Sequence, residues 1–445
     1  MQLEKTTIDE LNAEFAALVE FGKRSRTRVG FATMDADGNP DEPAGAQLWI
    51  NCRMTHIFCL ALLRGDESAR EYAEHGVTSL LESFHDKEFG GFFDAISLED
   101  ASPLPGSGER KLAYAHAFVL LAASSGIQAG IPRAQELFDL ADEAHEQYFW
   151  EPEFGLVRES YNRALTESED YRGANANMHT LEACLAAWDA TSDPRWLAKS
   201  GEILAFILGQ ARALDWRVPE HFDSFWQLLK DFNHDRPADP FRPYGVTPGH
   251  GIEWSRLTLH YWAAMSALVG DISGDGVISG DGAGAASPEA ASSGAALDPA
   301  NPNWLASLPV AARALFTQAV ADGWNADGEP GLVYTTDYDG TPVVHERMHW
   351  TVCEGIGAAA ALATYAEQVG DAELAEQMHK WFETFHSFAR ENLIEAPGRW
   401  FHELDRNNKP SGVTWPGKPD VYHAAQAMLM PQLGLTPTFA GALAS

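Results

Sequence analysis

The sequence predicts an all-α chain closed on itself, an (α/α)6 barrel of six inner and six outer helices. Three observations carry that expectation. Nearly all-apolar helical stretches recur at 47–64, 109–126, 173–190, 250–268, 350–368 and 421–432, and a helix that is apolar all round is buried on most sides. Amphipathic stretches alternate with them at 7–22, 67–84, 133–149, 195–212, 304–321 and 371–390, each with one face for a core and one for water. An aromatic–turn–aromatic segment also repeats, at 84–94, 149–157 and 324–334, with weaker echoes at 214–218 and 396–401. Its markers Gly91, Gly155, Arg217, Gly331 and Arg399 stand 64, 62, 114 and 68 residues apart. The double-length interval leaves room for one degenerate unit, giving six helix pairs.

Taken in order, the first helix opens near Thr7, a candidate cap, with Asp9 and Glu10 in its first turn and Leu11, Phe15 and Leu18 as its stripe. A loop rich in Gly, Asp and Pro leads to the apolar run Gln47–Leu63. Helix pairs joined by the aromatic turns then follow one another. Pro248 and Gly249 punctuate the chain before the fourth inner helix, which reads as helical from His250. From 270 to 302 the chain is Gly, Ala, Ser, Asp and Pro with almost nothing to bury, which predicts a surface insertion within a single domain spanning 1–445. Asp271, Asp275 and Asp281 lie in it, but no Glu stands where a calcium loop needs one.

The chain has 64 acidic against 31 basic residues, a formal net charge of −33. Such a surface repels nucleic acids and anionic membranes, so neither is expected as a partner. Cys52, Cys59, Cys184 and Cys353 form no C-x-x-C pair and lie in apolar helices. They read as buried thiols of a reducing compartment. With no signal peptide or membrane-length apolar run, a cytoplasmic protein is expected. Nothing in the sequence fixes whether it is a homo-oligomer.

The inner helices carry polar residues near their starts, where an apolar barrel does not need them. Arg53 and His56 stand in the first, Tyr114 and His116 in the second, and Asn175 and His179 in the third, four apart and so on one face. His250 and Glu253 stand in the fourth, Glu354 in the fifth, and His423 and Gln426 in the sixth, after Trp415. In a ring of this kind all six starts share one end, so these residues converge at one mouth. Burying a polar or charged group is costly, and repeating it six times implies use.

His179, His250 and His423 with acidic neighbours suit either a metal or proton transfer. No local motif such as H-E-x-x-H enforces metal ligation. Histidines titrating near neutral pH on either side of a substrate suit acid–base work, with Arg53 and Arg242 stabilising charge that develops on oxygen. No phosphate-binding glycine loop and no G-x-S-x-G elbow is present.

Four motifs in order, Gln47-Leu-Trp-Ile-Asn-Cys-Arg-Met-Thr-His, Gly173-Ala-Asn-Ala-Asn-Met-His, Pro248-Gly-His-Gly-Ile-Glu-Trp and Lys418-Pro-Asp-Val-Tyr-His, resemble the N-acylglucosamine 2-epimerase superfamily, in its mannose isomerase and sulfoquinovose isomerase branch. The resemblance covers nearly the whole chain outside 270–302. It implies an (α/α)6 barrel and cofactor-free aldose–ketose isomerisation of a small sugar through an enediol. It implies His423 and His250 as acid–base catalysts, with His179 among the catalytic set and Glu253 moving protons between O1 and O2 or orienting His250. Arg53 would stabilise the enediolate. Tyr114, Asn175, His179 and Arg242 would bind hydroxyls or assist ring opening, with Glu354 a further substrate-side candidate. Trp415 and Gln426 fall where pocket-wall residues would. No metal, cofactor or nucleotide is expected.

The same enediol reprotonated on the other face of C2 gives a 2-epimerase, so the two outcomes are not separated by chemistry alone. A sulfonated sugar would need extra cationic donors, and the nearest arginine before Arg242 is Arg236, which favours neutral mannose. A glycoside hydrolase on the same barrel would need a carboxylate pair, and histidines dominate the expected mouth instead. A non-catalytic sugar-binding barrel would not need them.

Overall fold

The computed structural model describes residues 1–273 and 297–445. Its inner helices are α2 (Leu48–Leu63), α4 (Ala113–Gln128), α6 (Ala174–Thr191), α8 (Pro248–Ser273), α10 (His349–Val369) and α12 (Tyr422–Leu433). The outer ones are α1 (Lys5–Gly22), α3 (Arg70–Ser79), α5 (Ala134–Ala144), α7 (Arg195–Ala213), α9 (Trp304–Gly323) and α11 (Ala372–Phe388). Each inner helix packs on the next inner one, and α12 returns to α2. The ring closes. A short last helix, α13 (Phe439–Ala444), packs against α2, α4, α6 and α12.

Burial follows the apolar pattern. Residues 48–62 of α2 are buried without exception, Arg53 and His56 included, whereas α5 buries only Ala134, Leu137, Phe138, Ala141 and Ala144, one stripe of a half-wet helix. Three outer helices end in a wider π turn, at Leu80–Phe84, His145–Phe149 and Ala389–Leu393, which carries the chain into a hairpin. The hairpins are the repeated aromatic segments. Gly91 and Gly155 have φ of +63° and +66°, a left-handed turn that side chains disfavour. In the weaker echo that conformation falls on Asp215 and Trp216.

Three local expectations change. Thr7 lies inside α1, which begins at Lys5 and has no side-chain cap. Pro248 opens α8 rather than preceding it, because a missing N–H costs nothing in a first turn. The 114-residue interval holds only α8 and α9 with their long connections, not a degenerate unit. The sixth pair closes through α1, whose following turn forms the bridge Arg26↔Phe31. The insertion expected over 270–302 falls mainly on 274–296, outside the described residues.

Short antiparallel pairs fix where the inner helices begin. Ala46–Gln47 pairs with Ala95–Ile96, Lys111–Leu112 with Ser160–Tyr161, Tyr171–Gly173 with His221–Asp223, and Arg347–Met348 with Glu403–Leu404. At each, the first helical N–H donates to a carbonyl of the next unit's hairpin: Leu48 to Asp94, Ala113 to Glu159, Ala174 to Glu220 and His349 to His402. A helix start has N–H groups with no partner inside the helix, and the neighbouring hairpin supplies one. Side chains beside those carbonyls are thereby delivered to the same end of the barrel.

Candidate active site

The helix starts surround one cleft with about 740 Å³ of free space, its open mouth included. Second and sixth positions of the inner helices share a face across one turn, and the cleft uses this in Trp49 and Arg53 of α2 and Asn175 and His179 of α6. Tyr114 of α4, His250 and Glu253 of α8, His349 and Trp350 of α10, and Asp420 and His423 at the start of α12 complete the depth of the site. Phe241, Tyr334, His402 and Trp415 also line it. Phe241 and Trp415 meet edge-on, ring centres 4.9 Å apart.

Three histidines in the cleft are each held at Nδ1 by a carboxylate. His250 meets Glu220 at 2.8 Å, His423 meets Glu354 at 3.1 Å, and His179 meets Glu182 at 3.1 Å. A carboxylate accepts, so Nδ1 carries the proton and the neutral ring keeps its lone pair on Nε2. The Trp350 ring neighbours two of them, 5.0 Å from His250 and 5.9 Å from His423. Burial, reinforced by the Arg53 charge, holds His423 well below the usual imidazole range. It is an unprotonated base at neutral pH. Burial also lowers His179, against the pull of Glu182. Burial pushes Glu182 up, but His179, Arg256 and the Tyr422 hydroxyl (2.8 Å) outweigh it and keep that group ionised.

Arg53 is 6% exposed and boxed by aromatic rings, its guanidinium 4.5 Å from Phe118, 4.7 Å from Tyr422 and 4.8 Å from Trp49. It donates to the Tyr114 hydroxyl at 3.0 Å and faces Asp420 at 3.5 Å. Burial alone would depress it, but Tyr114, Asp420 and Tyr422 more than compensate, so the cation persists. Glu253 behaves oppositely. Burial first, then the Glu354 charge, push its carboxyl well above the usual range, which leaves a neutral acid able to donate or accept a proton. Arg53 Nε, Asn175 Oδ1, Glu253 Oε1 and His349 Nε2 are buried without a hydrogen-bond partner in the protein. Four such atoms around one cleft mark polar groups that a bound ligand or water would satisfy on small adjustment.

Eight sequence candidates therefore meet in the cleft: Arg53, Tyr114, Asn175, His179, His250, Glu253, Trp415 and His423. Three others do not line it. Arg242 is turned away, donating to Glu169 at 2.8 and 3.2 Å and stacking 3.9 Å from the Tyr171 ring, although its neighbours Phe241 and Pro243 face the cleft. Glu354 lies fully buried behind His423. Gln426 lies further along α12, 3.2 Å from His56. Glu253 does not orient His250; Glu220 does. Glu220 and His402 were not singled out from sequence, although both sit where a hairpin carbonyl meets the start of the preceding inner helix. Asp94, Glu159 and Glu220 occupy that place at spacings of 65 and 61 residues, so aligning the repeats would have exposed the register. His402 stacks on His349 at 3.8 Å, and burial holds the His349 pKa at about 4.

Among the described residues, His179, Glu182 and Glu253 bring three ligand-type atoms within 4.8 Å of one another. Glu182 already accepts from His179 and Tyr422, and Glu253 is held neutral, so this set is poorly prepared for a divalent ion, which needs deprotonated ligands.

Histidine bases, a buried cation and a neutral acid around a polar cleft are equipment for moving protons on a polyhydroxylated substrate. The model of the N-acylglucosamine 2-epimerase family matches residues 30–270 and 298–427, and the chain belongs to that family. It is 43% identical to a D-mannose isomerase of Thermobifida fusca, over 98% of this chain and 96% of the relative. It is 40% identical to a D-mannose isomerase of Pseudomonas cannabina pv. alisalensis, over 98% and 94%. A crystal structure of a D-mannose isomerase superposes with a TM-score of 0.77 at 25% identity, covering 96% of this chain and 97% of the other. The chain is a sugar isomerase on an (α/α)6 barrel.

Proposed function

We propose that the enzyme interconverts D-mannose and D-fructose through an enediol, without a metal or other cofactor. The observation that carries this is the pair of histidine–carboxylate dyads, His250–Glu220 and His423–Glu354, both lining one cleft and both beside the Trp350 ring. His250, with Glu220 behind it, exchanges protons with the ring oxygen and O1 to open the sugar. His423 Nε2 removes the C2 proton, and the C–H electrons form the C1–C2 double bond as O1 becomes an alkoxide. Arg53 stabilises that charge in a buried setting, where a fixed cation is worth more than in water. Glu253 protonates O1 and takes the proton of O2. As the C2 carbonyl forms, the proton on His423 goes to C1. General acid–base groups placed this way contribute about 10²–10⁴-fold each.

Mannose over a sulfonated sugar is supported by the lining. Arg53 is the one arginine or lysine side chain among the described lining residues, and it already faces Asp420. A sulfonate would have no cation of its own. Two histidines lining one cleft also suit reprotonation at C2 from the opposite face, the 2-epimerase outcome. Incubation with D-mannose in D2O, followed by NMR, separates the two. Fructose is expected, with deuterium at C1 in those turnovers where the His423 proton exchanges with solvent; glucose deuterated at C2 as main product would replace isomerisation with epimerisation. No product and no exchange with mannose, lyxose or N-acetylmannosamine would end the reading.

A further inference from the structure

Beneath the cleft lies a cation that no step above uses. Arg256, on α8, is 2% exposed. Its Nε donates to Glu354 Oε2 at 2.7 Å, and the other oxygen of Glu354 holds His423 Nδ1 at 3.1 Å. Its Nη2 stands 3.6 Å from Glu253 Oε1 and makes no hydrogen bond. Its charge also acts on Glu182, the carboxylate behind His179. One guanidinium thus faces three buried carboxyl groups: Glu354 behind His423, Glu182 behind His179, and Glu253, which itself lines the cleft. On its far side Arg256 meets the floor of the barrel, with the α13 residue Phe439 5.9 Å away and the His260 imidazole close enough for the Arg256 charge to help keep it neutral. Three carboxylates buried together do not all ionise without a cation.

We infer that Arg256 is a positioning residue for the reaction: it keeps Glu354 ionised, so that Glu354 accepts from His423 Nδ1 and leaves the basic lone pair on the cleft side. The inference rests on the role given to His423 above. If Glu354 took up a proton it would donate to Nδ1, the tautomer would invert, and Nε2 would carry the hydrogen that a base must not have. Other groups facing the Glu354–His423 pair are Glu253 of α8, Arg53 of α2, His179 of α6, His349 of α10, Asp420 before α12, and His402. Arg53 is committed to Asp420 and Tyr114, so Arg256 is the cation in hydrogen-bond contact with Glu354.

The test is the pH dependence of kcat/KM for Arg256→Met and Arg256→Lys. The competent form needs Glu354 charged and His423 neutral, so losing the cation raises the pH at which that form appears. The acidic limb should move up by about one to three pH units in Arg256→Met, as expected for removing an adjacent opposite charge, and by less in Arg256→Lys. In a Glu354→Gln background the further loss from Arg256→Met should shrink to within about threefold, since pairs acting as a unit are not additive. A uniform fall in rate at all pH values, or full additivity with Glu354→Gln, would reduce Arg256 to a structural role and overturn the inference. NMR titration of the His423 ring in histidine-labelled protein gives the same reading without turnover. An unchanged His423 titration and tautomer in folded Arg256→Met would overturn the inference even if mannose were not the substrate. Failure of the wild type on mannose would bear on the proposed reaction alone.

Discussion

Glu220→Gln isolates the contribution of charge at one dyad. Glu220 is 4% exposed, and its backbone carbonyl is fixed by the Ala174 N–H at 3.0 Å, so its side chain reaches His250 from a rigid base. The substitution keeps volume and leaves an amide within reach of Nδ1. What it removes is the negative charge that stabilises a protonated His250. Two unit charges about 4 Å apart interact by about 4 kcal/mol at an effective dielectric constant of 20. Only part of this is expressed in the transition state, and the amide recovers some of the hydrogen bond. A fall of about 10²–10³ in kcat is therefore expected, equivalent to about 3–4 kcal/mol, with KM changed by no more than a few fold. The assay is mannose-to-fructose conversion at saturating sugar, with the thermal midpoint measured alongside. Glu220→Ala should lose more and recover part of its activity with added formate, which fits the vacated carboxylate site. A kcat within threefold of wild type, with an unchanged pH profile, would refute the coupling of Glu220 to the chemistry.

His423→Ala should lower kcat by at least about 10³-fold while the protein stays folded, checked by product NMR and circular dichroism. Activity should survive prolonged EDTA treatment; loss that zinc or manganese restores would instead point to His179, Glu182 and Glu253 as ligands. Stability should fall as pH drops below about 6.5, because His56, His260 and His349 have folded-state pKa values near 4, and His116 and His145 near 3, all chiefly through burial. Each is neutral when folded and takes a proton first when unfolded, so each costs about 1.4 kcal/mol per pH unit below its unfolded value until its folded pKa is reached; unfolding free energies from urea titrations at pH 7 and 5.5 should differ by several kcal/mol.

The parts of this molecule legible in its sequence are those where one helix decides the outcome. An inner helix buried on every side must be apolar throughout, so Leu48–Leu62 declared its place before any neighbour was known, and a polar residue within it, such as Arg53, declared a use. Spacing within one helix was equally readable: Asn175 with His179, and His250 with Glu253, share the faces that i,i+4 and i,i+3 intervals require. What stayed hidden depends on closure of the ring. Arg242 read as a free cation because Glu169 and Glu159, its partners, arrive from a hairpin more than 70 residues earlier. Glu220 was not singled out because its value lies in standing between the start of α6, which its carbonyl caps, and His250 of α8, which its carboxylate holds. Neither relation is local, yet both follow from one repeated construction in which each hairpin caps the preceding inner helix and so meets the cleft. The catalytic set is then a product of the repeat itself. Helices supply the histidines; buried helix positions and one hairpin supply the carboxylates that orient them. Two dyads, His250–Glu220 and His423–Glu354, are built across units, and helix periodicity could disclose neither pairing; His179–Glu182, three apart on α6, is the local one.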